Sequence, residues 1–303
     1  MEKSSPDLAA LYQEHRPHAF AVAYRMLGTV SEAEDVVQDA FVRLHDADTA
    51  AIESPRAFLT TVVTRLSIDH LRRARVRRET YFGPWLPEPL VGSELPTALA
   101  DTADLGSLSM AVLVLLETLS PIERAVFVLR EAFHVEHDEI ARILGKTAVH
   151  CRQIAARARQ HVEARRPRFE ASPERQATLA QQFLSAVTSG DRARLTALLA
   201  QDAAFHGDGG GKAKAFPRPI AGRDAVVKLL VGLFAKLHEL GVQMTPTSIN
   251  GQPGAMLRDR EKRLINVLSF DIHADGTVHT VRSIVNPEKL GHLGPLSDLA
   301  RRG

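Results

Sequence analysis

The residues best equipped for chemistry lie in three groups. Arg65, Arg72, Arg73, Arg75, Arg77 and Arg78 fall within 14 positions, with Asp69 the only acid among them. So dense a run exceeds what capping a helix end requires and suits neutralisation of a phosphate backbone. Arg152, Gln153 and Arg157 form a second polar group, with Arg159, Arg165, Arg166 and Arg168 beyond it. Arg and Gln are the side chains that read base edges in duplex DNA. The third is "HGDGGGKAKAF", residues 206–216. It fails as a phosphate loop: His206 stands where the first glycine belongs and Ala213 where the magnesium-binding hydroxyl belongs. His206 and Asp208 could act as an acid–base pair, or the glycines could let the backbone approach a neighbour closely.

The elements that must position the first group read as helices. Ser5-Pro6 opens one, which Pro17 should interrupt; Gly28 ends the next. Ser31 to Glu34 is a capping box opening "SEAEDVVQDAFVRLHDA". Val36, Val37, Ala40, Phe41 and Leu44 share one side of it, leaving Asp35, Gln38 and Asp39 as a polar surface. Ser54-Pro55 begins the helix that carries the arginines. Residues 80–105 then hold four prolines and four acids, with neither Lys nor Arg. This predicts an acidic, extended connector. Its "WLPEP", residues 85–89, contains the chain's single tryptophan, expected to dock into a groove.

Ser120-Pro121 with Glu123 is another capping box. The segments 137–144 and 148 onward, joined by Gly145-Lys146-Thr147, have helix-turn-helix spacing, although two antiparallel core helices would share it. Ile140, Leu144, Cys151, Ala155, Ala158 and Val162 would face inward and Arg152, Gln153 and Arg157 outward. Cys151 is expected to be a buried structural residue. In the last 130 residues, two helices split at Gly190 and a third over residues 222–240 precede four alternating segments. Those segments, VQMTPTSIN, AMLRDR, RLINVLSFDIH and TVHTVRSIV, predict an antiparallel sheet and an α+β domain.

A net charge of +2 decides nothing about nucleic acid by itself. One cysteine excludes an intrachain disulfide and suits a reducing compartment. The N-terminal residues lack the apolar stretch of a signal peptide, and no run reaches the roughly 18 residues that span a bilayer. The expectation is a cytoplasmic protein without membrane contact, metal or cofactor.

Two helical blocks, each ending in a basic helix and joined by an acidic connector, resemble a bacterial sigma factor of the extracytoplasmic-function (ECF) group. "SEAEDVVQDAFVRLH" resembles the segment that meets core RNA polymerase; this implies contact through Asp35, Gln38 and Phe41. "SPRAFLTTVVTRLSIDHLRR" resembles the segment that melts the minus-ten element, which implies a single-strand track of Arg65, Arg72, Arg73 and Arg75. The helix-turn-helix resembles the region-four reader of the minus-thirty-five element, with Arg152, Gln153 and Arg157 on promoter DNA. The tail resembles the SnoaL/NTF2-like cone fold, found fused to one ECF subgroup. That subgroup's three motifs stand here as Trp85 to Pro89, Asp208-Gly209-Gly210-Gly211-Lys212 and Asn286 to Leu290, with Glu288 where Asp is usual.

The resemblance implies a multidomain protein: two all-α sigma domains, the second with a helix-turn-helix, plus an α+β cone. The expected divisions are a region-two domain over 1–79, a linker over 80–106, a region-four domain over 107–170 and a SnoaL-like regulatory domain over 171–303. Trp85, Pro87, Asp208, Gly209, Gly210, Gly211, Lys212, Asn286, Pro287 and Lys289 are the candidate regulatory contacts. The cone is also a candidate site for a small-molecule ligand. Two other readings are a ligand-responsive helix-turn-helix repressor and a SnoaL-type enzyme with a DNA-binding appendage.

Overall fold

The computed structural model describes residues 8–47, 52–92, 109–164 and 172–301. The Ser5-Pro6 cap, the later linker and Arg165, Arg166 and Arg168 lie outside them, as do the side chains of Arg75, Arg77 and Arg78. The chain divides into two compact units. One contains the helices before Glu79 and those from Val112 to Arg166; the other contains Thr80–Gly92, Ser109–Ala111 and everything from Pro167.

In the helical unit, α1 (Leu8–Leu27), α2 (Val30–Asp46) and α3 (Pro55–Glu79) pack around Ala19–Leu27, Val36, Val37, Leu44, Leu59 and Val63. Helix α1 runs straight through Pro17 instead of breaking there. The carbonyl that Pro17 cannot serve belongs to Gln13, an exposed residue. Burial of the following apolar run outweighs the lost bond. Helix α2 starts two residues before the expected cap: Thr29 is its N-cap and its hydroxyl donates to Glu32 at 2.9 Å. Glu34 is drawn away instead, accepting from Arg16 at 2.6 Å.

Helices α4 (Met110–Leu116), α5 (Pro121–Phe127), α6 (His137–Leu144) and α7 (Ala148–Glu163) follow. The predicted capping box at Ser120 and Glu123 forms. Helix α5 continues into a single π turn, Val128–Ala132. Gly145 ends α6 in the left-handed region and Thr147 caps α7 through the His150 amide. The turn therefore has the predicted helix-turn-helix form, around Ile140, Cys151, Ile154 and Ala155.

The second unit contains α8 (Pro173–Ser189), α9 (Arg192–Leu198) and α10 (Arg223–Glu239). Its six strands are β1 (Leu199–Asp208), β2 (Ile220–Ala221), β3 (Gln243–Ile249), β4 (Gln252–Arg258), β5 (Leu264–Ile272) and β6 (Val278–Ile284). Their order is β2-β1-β6-β5-β4-β3. The four expected strands are present as β3 to β6. Two corrections concern β1: residues 199–208 form a strand, where the second helix was expected to run through Ala200 and no strand was expected before residue 242, and β1 runs parallel to β6. A parallel neighbour needs a long crossover, here supplied by α10 and β2 to β5. One face of the sheet packs Phe205, Leu268, Phe270 and Val281 against Phe183, Leu184, Val226 and Leu230 of the helices.

Candidate functional site

Strand alternation decides where the third group of residues points. Ala203 and Phe205 belong to the helix-packed core, so His206 and Asp208 project from the opposite face. Across that face runs the chain from Thr80 to Gly92. Val91 bridges to Ile249, and Leu90 donates its amide to the Asn250 side chain at 3.0 Å.

Asp208 is completely buried. Its Oδ1 accepts from the Tyr81 hydroxyl at 2.5 Å, and its Oδ2 from the Leu86 amide at 2.8 Å and the Lys289 ammonium at 2.6 Å. Its main-chain carbonyl accepts from the amides of Val285 and Asn286. Lys289, also buried, donates to the Leu86 carbonyl as well. The Lys289 ammonium stands 4.2 Å from the Trp85 ring centroid and 4.9 Å from that of Tyr81, so cation–π attraction adds to the ion pair. Asn286 donates to the Tyr81 hydroxyl at 2.9 Å and caps the short helix α11 (Pro287–Leu290). Burial, then the Asp208 charge, pushes the Tyr81 phenol upward, so it remains a protonated donor. His292 reaches the Pro89 carbonyl at 2.9 Å. A buried pair with its remaining valences filled in this way escapes the usual penalty of an isolated buried charge.

Gly210 makes room for the node and Gly209 for the turn beside it. A Cβ on Gly209 would stand 2.3 Å from the Ala213 carbonyl oxygen. One on Gly210, whose φ is +57°, would stand 2.3 Å from Asn286 Nδ2 and 2.8 Å from the Tyr81 hydroxyl. Lys212 leaves the node and pairs with exposed Glu288. Pro87 is buried and Trp85 half-buried; Gly211 is exposed. The three motifs singled out in the sequence thus meet at one carboxylate. Tyr81 was missed; its signal is only its place four residues before Trp85.

Both Asp208 oxygens are occupied by structural partners, which leaves no free base. His206 is held lower than an ordinary histidine by burial, then by Arg282. Arg282 itself forms a bidentate pair with Asp271 at 2.5 and 2.6 Å. A partly open cavity is lined by Gln176, Gln252, Ser269, Asp271 and His273, with about 30 Å³ of room for water.

In the helical unit, Arg152, Gln153 and Arg157 are exposed on α7 while Cys151 is buried on its inner side. Burial raises the Cys151 thiol. Arg72 and Arg73 are exposed on α3, both bonded to Asp69. Asp35 and Gln38 are exposed, but Phe41 is buried, its ring 4.8 Å from that of Tyr12. Arg65 is also exposed, and it donates to the carbonyls of Ile143 at 2.8 Å and Arg142 at 3.4 Å. A second clasp is Arg124, which donates to the Met26 carbonyl at 2.8 Å and to Glu117 at 2.7 Å. Burial lowers its guanidinium to about 9, still charged at neutral pH. Nothing in the spacing of "PIERAVF" distinguishes Arg124 from a surface arginine. Among the described residues, no helix is long and apolar enough to cross a membrane and no acidic, His or Cys cluster could hold a metal.

Residues 11–77 match the family model of sigma-70 region 2, and residues 109–162 match that of sigma-70 region 4. The ECF RNA polymerase sigma factor SigJ of Mycobacterium tuberculosis is 37% identical over 92% of this chain and 91% of its own length. The probable ECF RNA polymerase sigma factor SigI of the same species is 30% identical over 94% and 96%. The crystal structure of M. tuberculosis SigJ superposes with a TM-score of 0.75 at 34% identity, covering 95% of this chain and all of that one.

Proposed function

This chain belongs to the ECF sigma factors of bacterial RNA polymerase, and from that premise we propose that its C-terminal unit regulates promoter recognition by holding the linker between regions two and four. As a sigma factor it supplies core polymerase with promoter specificity and needs no catalytic step of its own, and its work is cytoplasmic. Region four would dock on duplex DNA through Arg152, Gln153 and Arg157. Region two would track the melted strand with Arg72, Arg73 and Arg75 and meet the polymerase through Asp35 and Gln38.

The observation that carries the regulatory reading is the Asp208 node. It ties Tyr81 and Leu86, just after the region-two helix, to Lys289 near the far end of the cone. While it holds, the first part of the linker is fixed on the sheet and unavailable for any other path. The clasps of Arg65 and Arg124 act within the helical unit in the same direction, by keeping regions two and four packed together. The filled valences of Asp208 support a structural role over an acid–base one.

Run-off transcription with core polymerase tests this. A chain truncated before Asn286, and the full chain carrying Asp208→Ala, should each give more promoter-dependent transcript than the unaltered protein. Unchanged transcript from both would remove the regulatory reading while leaving the family assignment intact.

A further inference from the structure

Beside the node lies an exposed patch that the regulatory reading does not use. Phe82 is 62% exposed and Phe216 41%, and they are the two aromatic side chains among the exposed large hydrophobics. They belong to segments that run side by side: a Cβ on Gly83 would stand 3.8 Å from the Pro217 Cα and 3.9 Å from the Phe216 carbonyl oxygen. Phe216 meets the buried Phe205 edge-on, with centroids 6.2 Å apart, so its orientation is set from beneath. Lys214 and Arg218 flank Phe216, and both are exposed. Glu288, which lies against the glycine loop, is already matched by Lys212.

We propose that Phe82, Phe216, Lys214 and Arg218 form a single-stranded nucleic-acid contact on the C-terminal unit. Exposed rings interleaved with cations are what a sequence-tolerant single-strand site needs: bases stack on the rings and phosphates meet the cations. Chain length supports the choice of occupant. Phe82 lies four positions after Arg78, so at about 3.3–3.6 Å per residue it stays within roughly 14 Å of the arginine-rich helix end, however the two units are disposed. A strand leaving that helix end would find the patch in reach, whereas an apolar protein partner would gain nothing from Lys214 and Arg218. The inference rests on the sigma-factor reading only for the source of the strand.

The test uses the full chain without polymerase and a fluorescent oligothymidine of about 16 nucleotides. Phe82→Ala and Phe216→Ala should each weaken binding at least about fivefold. Phe82→Tyr and Phe216→Tyr should restore it, because the π face is kept. Lys214→Ala and Arg218→Ala should each lower the slope of log K against log salt by about 0.7. All four positions are exposed, and an unchanged thermal midpoint checks that the fold is intact. Equal binding by the Phe82→Ala/Phe216→Ala chain would overturn the proposal. So would full binding by the corresponding leucine variants, which keep apolar area without a ring to stack on. Run-off transcription of the same variants separates this outcome from failure of the sigma reading, since that reading predicts promoter-dependent transcript whether or not the patch binds.

Discussion

Arg65 Nε lies 2.8 Å from the Ile143 carbonyl oxygen, so an arginine of the region-two helix caps the C-terminal end of the first helix of the helix-turn-helix. Charge and dipole agree there, because carbonyls at a helix C-terminus attract a cation. Arg65→Ala should lower the unfolding free energy by about 1–2 kcal/mol. A fall in the urea midpoint at constant slope would record it. Arg65→Lys should recover only part, since it lacks the guanidinium's second donor to Arg142.

The Asp208–Lys289 pair should show strong coupling. Asp208→Asn or Lys289→Met alone leaves an uncompensated buried charge and should cost about 3–5 kcal/mol. The double variant should cost clearly less than the two singles added together, as a double-mutant cycle by denaturant unfolding would show. Limited proteolysis should cut between residues 80 and 92 faster in each single variant.

The α7 face makes predictions that depend on salt. Arg152→Ala and Arg157→Ala should each reduce the slope of log K against log salt by about 0.9 on a duplex promoter fragment bound by the holoenzyme. Gln153→Ala should instead relax preference at one base pair, by about 1–3 kcal/mol. A uniform loss across all sequences would make Gln153 a backbone contact.

His18 gives the helical unit a pH dependence. It contacts Thr60 at 3.0 Å and meets the Phe133 ring edge-on at 5.2 Å. Burial, then Arg56, lowers its folded pKa to about 4 from the ordinary 6.5. Between those values the unfolded chain binds more protons. The stability is therefore complete above 6.5 and is lost as pH falls towards 4, by up to roughly 3 kcal/mol. Unfolding midpoints across this window should show the fall, and His18→Gln should flatten it.

Much of this was legible in the chain because local signals carried it. The Ser120 and Thr147 caps, Gly145 and the alternation of residues 243–284 depend on neighbours a few positions away. Strand β1 was not legible: "LAQDAAFHGD" is alanine-rich, follows a helix directly and owes its strand form to a parallel partner far along the chain. The Asp208, Trp85 and Lys289 motifs could be named, but their convergence on one carboxylate is a tertiary fact. Arg65 could be named as a cation, but composition does not report which carbonyl the charge will meet.

The order in which the node's parts are made has its own consequence. Leu86 must wait for Asp208, 122 residues later, and for Lys289, 203 residues later. At about 5–20 residues per second on the ribosome, that interval lasts on the order of ten seconds or more. The helices of regions two and four, built from contacts nearer in sequence, are complete well before it ends. Every newly made molecule therefore passes through a stage, while still being translated, in which its promoter-reading helices are present and its linker is not yet held.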